Sequence, residues 1–492
     1  MFSVCLAKTR FLLYLKEKNM AFDKQLPKRS EDISGWYNAL MLQAELAEYG
    51  PAKGTMILRP YGYAIWELIQ KKLDGMFKAN GVENAYFPIF IPESLLHKEK
   101  SHLEGFSPEL AVVTIGGGEE LAEKLIVRPT SETIMYASYA KWVKSWRDLP
   151  IMINQWNNAV RWEKRTYLFL RTTEFLWQEG HTAHASHEEA IKTQEWAMGA
   201  YAKLFTDTYA LPGYIGRKSR SETFAGADST MTYETLMPGG KALQSSTSHD
   251  LGQNFAKAFD VKFQSREDKT EYAWQTSWGL STRSMGGLFM VHGDDKGLRL
   301  PPELAPHQVV ILPIRADDKL NEFVEKVKAD LMNADIRVKV DDRDGESLGF
   351  KINKWELKGV PIRMEIGAKE LASGQIKLIR RDNGEAMMVA ADKLLETIKD
   401  WLIKIQANLY KEAGEALAAH THSSDNYADF KQQMDSTKGF IKAKWCGNVA
   451  CEDSIKAETT ASTRCKTDGT EKGACIYCGA PESEEWYFAQ SY

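Results

Sequence analysis

The sequence predicts three folded units of mixed α and β structure in series, and three observations carry that reading. The chain has 492 residues, more than one compact domain holds. A proline cluster, Pro301-Pro302 and Pro306, separates a long Trp-, Gly- and Thr-rich region from one that alternates strand and helix. Apart from Cys5, the cysteines fall together near the end: Cys446, Cys451, Cys465, Cys475 and Cys478. The resulting division is an N-terminal extension over 1–29, a first unit over 30–302, a second over 303–398 and a third over 399–492.

Within 1–29, Lys8, Arg10 and the short apolar run Phe11–Leu15 are too little for a signal peptide. An unstructured extension, or a true start at Met20, accounts for them; a targeting role is the alternative. Hydrophobic residues make up 43% and charged residues 26%, as in ordinary globular proteins. The apolar runs, such as Val309–Pro313, are too short to span a bilayer. The net charge of -4 argues against non-specific DNA binding.

In the first unit, Tyr61, Ile65, Leu68, Ile69, Leu73 and Phe77 recur at helical spacing behind Pro60, a favoured first helical position, and Gly81 ends the run. NAYFPIFIP follows and is β-prone. Pro88 has no N–H for a ladder, so it belongs at an edge or a subunit boundary. The second unit reads as a small α/β domain on a mixed or parallel sheet. Its strands are VVILPI, IRVKVDD, VPIRMEIG and QIKLIRR, with a helix over Leu320–Leu331. In the third, Cys446 and Cys451 form one pair and Cys475 and Cys478 another. Four thiolates suit a closed, structural tetrahedral zinc site holding a loop-rich tail that lacks its own core. Cys465 is the fifth, read as a buried thiol.

Four clusters in the first unit carry chemistry. The stretch from Arg161-Trp162-Glu163 to LFLRTTEFLWQEGHTAH alternates charged groups with an aromatic frame, which puts one set on one sheet face. Thr130-Ser131-Glu132 follows LIVRP and on its own is equally a helix N-cap. QSSTSHD, from Gln244 to Asp250, on its own reads as a polar loop. SWGLSTRSMGG places Arg283 between an apolar strand and Gly286-Gly287, where small residues admit a close backbone approach.

Together these strings resemble the signature motifs of class II aminoacyl-tRNA synthetases, and specifically prolyl-tRNA synthetases of the archaeal and eukaryotic type with a C-terminal zinc domain and a terminal tyrosine, here Tyr492. The helix with NAYFPIF is similar to motif 1, RWE through TEFLWQEGHTA to motif 2, and GLSTR with MVHGDDKGLRLPP to motif 3. The resemblance runs from about residue 30 onward. It implies an α+β catalytic domain on an antiparallel sheet, an α/β anticodon-binding domain and a small C-terminal α/β zinc-binding domain. It also implies activation of L-proline with ATP and Mg2+, transfer to tRNA(Pro), a homodimer, cytoplasmic location and no membrane association.

The same resemblance implies roles for individual residues. Arg161 and Arg283 are the expected catalytic pair. Arg161 holds the α-phosphate and the amino-acid carboxylate, for which a planar guanidinium suits two-point contact. Glu163 accepts from the adenine amino group, and Phe175 and Arg283 sandwich the ring. Arg171 and Thr172 meet the outer phosphates; Gln244 and Thr247 meet the nucleotide. Glu132 with Thr130 anchors the proline ammonium. Glu179, His181, His249 and Ser281 line the polar wall, and Trp177 and Phe224 enclose the ring. Arg343 and Lys351, with Glu346 nearby, are candidate tRNA contacts. Between Glu179 and Trp278 there is no room for an inserted editing domain.

Other readings fit less well. A threonyl enzyme needs a cysteine ligand in its active site, and none lies between Cys5 and Cys446. Histidyl and glycyl enzymes lack WQEGHTAH. A non-catalytic paralogue loses motif arginines, whereas Arg161, Arg171 and Arg283 are present. A stand-alone zinc protein leaves the first unit unexplained.

Overall fold

The computed structural model describes residues 26–98, 110–315 and 317–492. The readings placed on Cys5, Met20 and the rest of 1–25 lie outside the described residues. Arg29, at the end of the expected extension, donates to the carbonyls of Met290 and Gly293. It thereby satisfies acceptors left over at the end of helix Arg283–His292.

The helix expected behind Pro60 is Pro60–Ala79, with Pro60 in its first turn. Ile65, Ile69, Leu73 and Phe77 are fully buried along one stripe. Asn80 caps it and Gly81 follows with φ +79°, the left-handed exit that glycine adopts without strain. NAYFPIF differs from its reading as a strand. Only Glu83–Asn84 and Phe90–Pro92 are strand; the residues between leave the ladder around Pro88. They are held from outside it instead, Phe87 O by the Arg128 guanidinium at 2.8 Å and Ile89 O by the Arg128 amide at 2.9 Å.

A seven-stranded sheet organises the first region. Its order is Glu83–Asn84, Ile151–Val160, Glu174–His184, Trp274–Ser281, Lys241–Gly252, Ser229–Met237 and Gly213–Arg217. Every pairing is antiparallel except that of the short first strand. Helices Pro60–Ala79, His187–Lys203 and Arg283–His292 pack into the main core through residues such as Phe77, Tyr201 and Phe289.

The second sheet is mixed, as expected. Val338–Val340, Val309–Ile314 and Ile362–Gly367 run parallel, and Gln375–Arg380 joins antiparallel. A fifth strand, Ala386–Ala390, was not read from the sequence; its exposed Met387 and Met388 blur the alternation.

The tail corrects its description as loop-rich and coreless. It carries a four-stranded sheet, Thr421–Ser423, Phe440–Trp445, Glu484–Gln490 and Ala461–Lys466, with helices Tyr427–Ser436 and Val449–Thr459. Phe430, Met434, Ile441, Trp445, Ile455, Trp486 and Phe488 form its own apolar core. Alternation in FIKAKW and EEWYFAQ supplies the inward residues. The tail lies against the edge strand Gly213–Arg217. Tyr214 stacks on Tyr487 at 4.0 Å, and a Cβ at Gly216 would meet Lys466 O at 2.1 Å. An otherwise open sheet edge is thus covered.

Candidate active site

One face of the seven-stranded sheet floors a cavity of about 420 Å³. Strand geometry selects which side chains reach it. Along Glu174–His184, Phe175, Trp177, Glu179 and His181 face the cavity; Gly180 faces back, beneath the Trp278 indole. The neighbouring strand contributes Ser277, Gly279 and Ser281. Register sets them side by side: Ser281 opposite Trp177, Gly279 opposite Glu179, Ser277 opposite His181, and on the far side Thr247 opposite Gly279 and His249 opposite Ser277. QSSTSHD is therefore strand, not loop. A bulge between Tyr233 and Glu234 leaves Ser245 unpaired, which lets Gln244 share a face with Thr247 and His249.

All sixteen residues named from the sequence for proline and nucleotide line this one cavity. Thr130-Ser131-Glu132 does open a helix, Glu132–Trp142, yet Ser131 makes no capping bond with its side chain. Its hydroxyl goes to Glu179. The sequence reading missed Lys218, Glu222, Thr230 and Ser277, among others in the lining. Lys218 and Glu222 sit just after the strand Gly213–Arg217, in a polar turn without periodicity. A lysine buried in that turn had no local signal.

The two ends of the cavity differ in charge. At one end, Glu132, Glu179 and His181 place a carboxylate oxygen or ring nitrogen each within 4.8 Å of one another. His181 Nε2 lies 2.9 Å from Glu179 Oε2, and Glu179 also accepts from the Ser131 amide, Gln155 and Asn157. Burial pushes the Glu179 carboxyl up, but the hydrogen bonds and the imidazolium outweigh it and hold the group at about 2. Burial pushes His181 down, but Glu132 and Glu179 more than compensate and its pKa stands above the ordinary value. His249, whose Nδ1 is 2.9 Å from Thr230 Oγ1, goes the other way. Burial, then His181, Lys218 and Arg161, bring it to about 3, so it is neutral at pH 7.

At the other end three guanidiniums converge. Arg161 donates from Nε to Pro129 O at 3.2 Å, with its guanidinium 5.6 Å from the Phe175 ring centre and 5.4 Å from that of Trp177. Arg171 pairs with Glu163 at 2.7 Å. Arg283 opens its helix and donates from Nε to Leu170 O at 3.1 Å. Burial, followed by repulsion from Arg161 and Arg171, lowers its pKa. Such convergence suits a polyanion, which relieves the mutual repulsion. The Thr172 hydroxyl donates to Glu174 O at 2.7 Å, committing its proton within the protein.

Outside the cavity, the four tail cysteines Cys446, Cys451, Cys475 and Cys478 lie with all sulfurs within 4.8 Å of one another. Cys446 Sγ is 3.7 Å from Cys451 Sγ and 3.8 Å from Cys478 Sγ. A tetrahedron with arms of about 2.3 Å has edges near 3.8 Å, so the donor set fits zinc. Cys465 is buried elsewhere, beside Gly216. The proposed tRNA contacts need a correction: Lys351 is buried and donates to Asp341 O at 3.1 Å, so its ammonium serves the fold. Arg343 is half-exposed but paired twice with Asp341, at 2.7 and 2.8 Å.

Family comparisons agree with this geometry. Residues 114–291 match the tRNA synthetase class II core domain (G, H, P, S and T), residues 308–401 an anticodon binding domain, and residues 427–492 the C-terminal domain of prolyl-tRNA synthetase. The proline–tRNA ligase of Cytophaga hutchinsonii is 51% identical, with 95% of this chain and all (100%) of the relative covered. That of Natranaerobius thermophilus is 46% identical over 97% of this chain and 100% of its own. The crystal structure of prolyl-tRNA synthetase from Cryptosporidium parvum, complexed with halofuginone and AMPPNP, superposes with a TM-score of 0.91 at 40% identity, covering 95% of this chain and 100% of that one. An antiparallel sheet flooring a cavity with convergent arginines, joined to an anticodon-binding unit, defines a class II aminoacyl-tRNA synthetase. Within that class, the chain belongs to the prolyl-tRNA synthetase family. It is a proline–tRNA ligase, activating L-proline with ATP to prolyl-adenylate and pyrophosphate and transferring proline to the 3′ end of tRNA(Pro).

Proposed function

We propose that the cavity divides this reaction between its two ends. The observation that carries the reading is that one cavity is lined both by the Glu132–Glu179–His181 group and by three arginines. Glu132 with Thr130 takes the proline ammonium, and Glu179 orients His181 behind it. Trp177 and Phe224 enclose the ring, while His249 and Ser281 complete the wall. Arg161 bridges the carboxylate and the α-phosphate, so that nucleophile and electrophile meet with their charges already balanced. Phe175 and Arg283 enclose adenine, and Glu163 accepts from its amino group. Arg171, Thr172, Gln244 and Thr247 serve the rest of the nucleotide, with Mg2+ on the outer phosphates. No protein nucleophile is required. The AMPPNP in the Cryptosporidium parvum structure supports a nucleotide site in this fold. Pyrophosphate exchange with each of the twenty amino acids tests the assignment. Proline is expected to dominate in an Mg2+-dependent reaction; a maximum with threonine, serine or histidine would refute it.

The same reading extends to the assembly. The exposed Tyr86, Phe90, Val112 and Trp142 around Pro88 support a homodimer interface there, and a monomeric mass by light scattering would contradict it. Zinc held by Cys446, Cys451, Cys475 and Cys478 is structural: four thiolates leave no open position for chemistry. Elemental analysis is expected to give one zinc per chain, lost in Cys475→Ser and kept in Cys465→Ser. Loss in Cys465→Ser would overturn the ligand set. We read the chain as an extension (1–29), a catalytic domain (30–302), an anticodon-binding domain (303–398) and a zinc-binding domain (399–492), a division that the separate seven-, five- and four-stranded sheets support. Four cysteines gathered as a metal-type cluster rather than as disulfides support a reducing, cytoplasmic setting.

A further inference from the structure

Behind the nucleotide end runs a buried chain of charges that the reaction as described does not use. Lys218 lines the cavity with its side chain almost wholly buried. Its ammonium donates to Gln244 Oε1 at 2.7 Å, and stands 3.6 Å from Glu222 and 3.9 Å from Glu234. Glu234 is fully buried on the strand Ser229–Met237, where it accepts from Thr232 at 2.8 Å. Its second oxygen accepts two hydrogen bonds, at 3.0 and 2.8 Å, from Arg464 on the tail strand Ala461–Lys466. A second tail group grips the same turn: Glu452 accepts from Ser219 at 3.1 Å and from Ser221. The tail therefore reaches Lys218 indirectly from two sides, through Glu234 and through the turn that follows the lysine.

An amide has two ends, and Lys218 decides which one Gln244 presents. With Oε1 bound to the ammonium, the Nε2 amide is left to donate into the cavity. A donor there suits a phosphate or ribose oxygen, and an acceptor does not. Without Arg464, Lys218 is the nearest cation left to Glu234. The ammonium is then drawn toward Glu234, away from Gln244, and the amide is free to turn over.

We propose that Arg464 of the tail is a positioning residue for the nucleotide, acting through Glu234 and Lys218 to fix the orientation of the Gln244 amide. This rests on the reading that Gln244 contacts the nucleotide. The tail thereby takes part in ATP recognition from a position outside the cavity.

The test is pyrophosphate exchange by the full-length enzyme, with KM for ATP and for proline measured separately in Arg464→Met, Arg464→Lys, Gln244→Ala and the double variant Arg464→Met/Gln244→Ala. Arg464→Met is expected to raise KM for ATP about tenfold and to change KM for proline less than twofold. Arg464→Lys, which keeps the charge, is expected to recover most of the loss. The double variant is expected to be no worse than Gln244→Ala alone. Because Arg464→Met leaves a buried carboxylate unpaired and threatens folding, Arg464→Met/Glu234→Gln is measured beside it. That pair is expected to melt like the wild type and, with the charge that drew Lys218 away removed, to bring KM for ATP back to within about twofold of normal. If it melts like the wild type and KM for ATP stays raised, the pull of Glu234 on Lys218 is not the cause and the proposal fails. If Gln244→Ala leaves KM for ATP unchanged, the nucleotide role beneath the proposal fails. If Gln244→Ala has its effect but the double variant is additive, the nucleotide role stands and the coupling through Lys218 falls.

Discussion

The proline end and the nucleotide end of the cavity solve opposite problems. Around Glu179 the hydrogen bonds are already made: Ser131, Gln155, Asn157 and His181 all bond to one carboxylate. At the nucleotide end, Arg161 and Arg171 bring their positive charges to bear on the buried Arg283, and a bound anion relieves that repulsion. The first arrangement recognises by fixed geometry, since a pre-bonded network offers a ligand few alternative poses. The second recognises by charge and stabilises what develops on the phosphate. A small zwitterion needs the former and a triphosphate the latter.

The largest expected effect breaks the open end. Arg161→Ala and Arg283→Ala are each predicted to lower exchange by about a hundredfold or more, with melting temperature preserved, because removing a contact to a reacting phosphate costs roughly 3–4 kcal/mol of barrier. Near-normal turnover in either variant, followed by pyrophosphate exchange, would deny that residue its role.

A smaller and differently shaped effect is expected at the closed end. Glu179→Gln is predicted to raise KM for proline about tenfold and, unlike the arginine variants, to cost about 3–5 kcal/mol of stability by stranding a buried charge. Its pH dependence has a definite sign. Glu179 is held at about 2, below its unfolded value, so its stabilisation is present above the unfolded value and lost as pH falls toward 2. His181 is raised, so its share is complete below its unfolded value near 6.5 and is lost as pH rises through its folded value. The stability gap between wild type and Glu179→Gln is therefore widest near pH 5–6 and narrows toward pH 9. A gap that widens over that range, by urea unfolding, would show that the pair does not carry the effect.

The smallest expected effect sharpens the comparison. The polar anchors grip groups that alanine shares with proline, so only the apolar wall separates the two. Each missing methylene is worth about 1–3 kcal/mol, so alanine is expected to be activated at a measurable rate. Residues 179–278 are taken up by strands and helices of the catalytic unit, such as His187–Lys203 and Lys241–Gly252. Pre-made alanyl-tRNA(Pro) is accordingly expected to lose alanine at the spontaneous rate in the presence of the enzyme. Faster release would reveal a hydrolytic site.

How far the site was legible in the sequence varied with how local its signals were. The residues Phe175, Trp177, Glu179 and His181 alternate along one strand, and alternation survives folding unchanged, so WQEGHTAH could be read directly. Gln244 and Thr247 break that alternation. They share a face only because a bulge opposite Tyr233 and Glu234 leaves Ser245 unpaired, and a bulge depends on the partner strand. The N-cap reading of Thr130-Ser131-Glu132 placed the helix start correctly but missed the Ser131 hydroxyl, which found a stronger acceptor in Glu179 across the sheet.

By itself the sequence determined the chemistry and the class of fold. Motif strings, helix stripes such as Ile65, Ile69, Leu73 and Phe77, and cysteine spacing are written within a few residues of one another, and their physics is short-range. Tertiary structure alone decided how distant segments meet. It gave the tail a core of its own, laid that tail over the strand Gly213–Arg217, and joined Arg464 to Glu234. It also buried Lys218 in the cavity wall and spent Lys351 on a backbone carbonyl. A charged side chain carries no local mark of its partner; only chain packing, which removes water and leaves the ion with its nearest opposite charge, makes the choice.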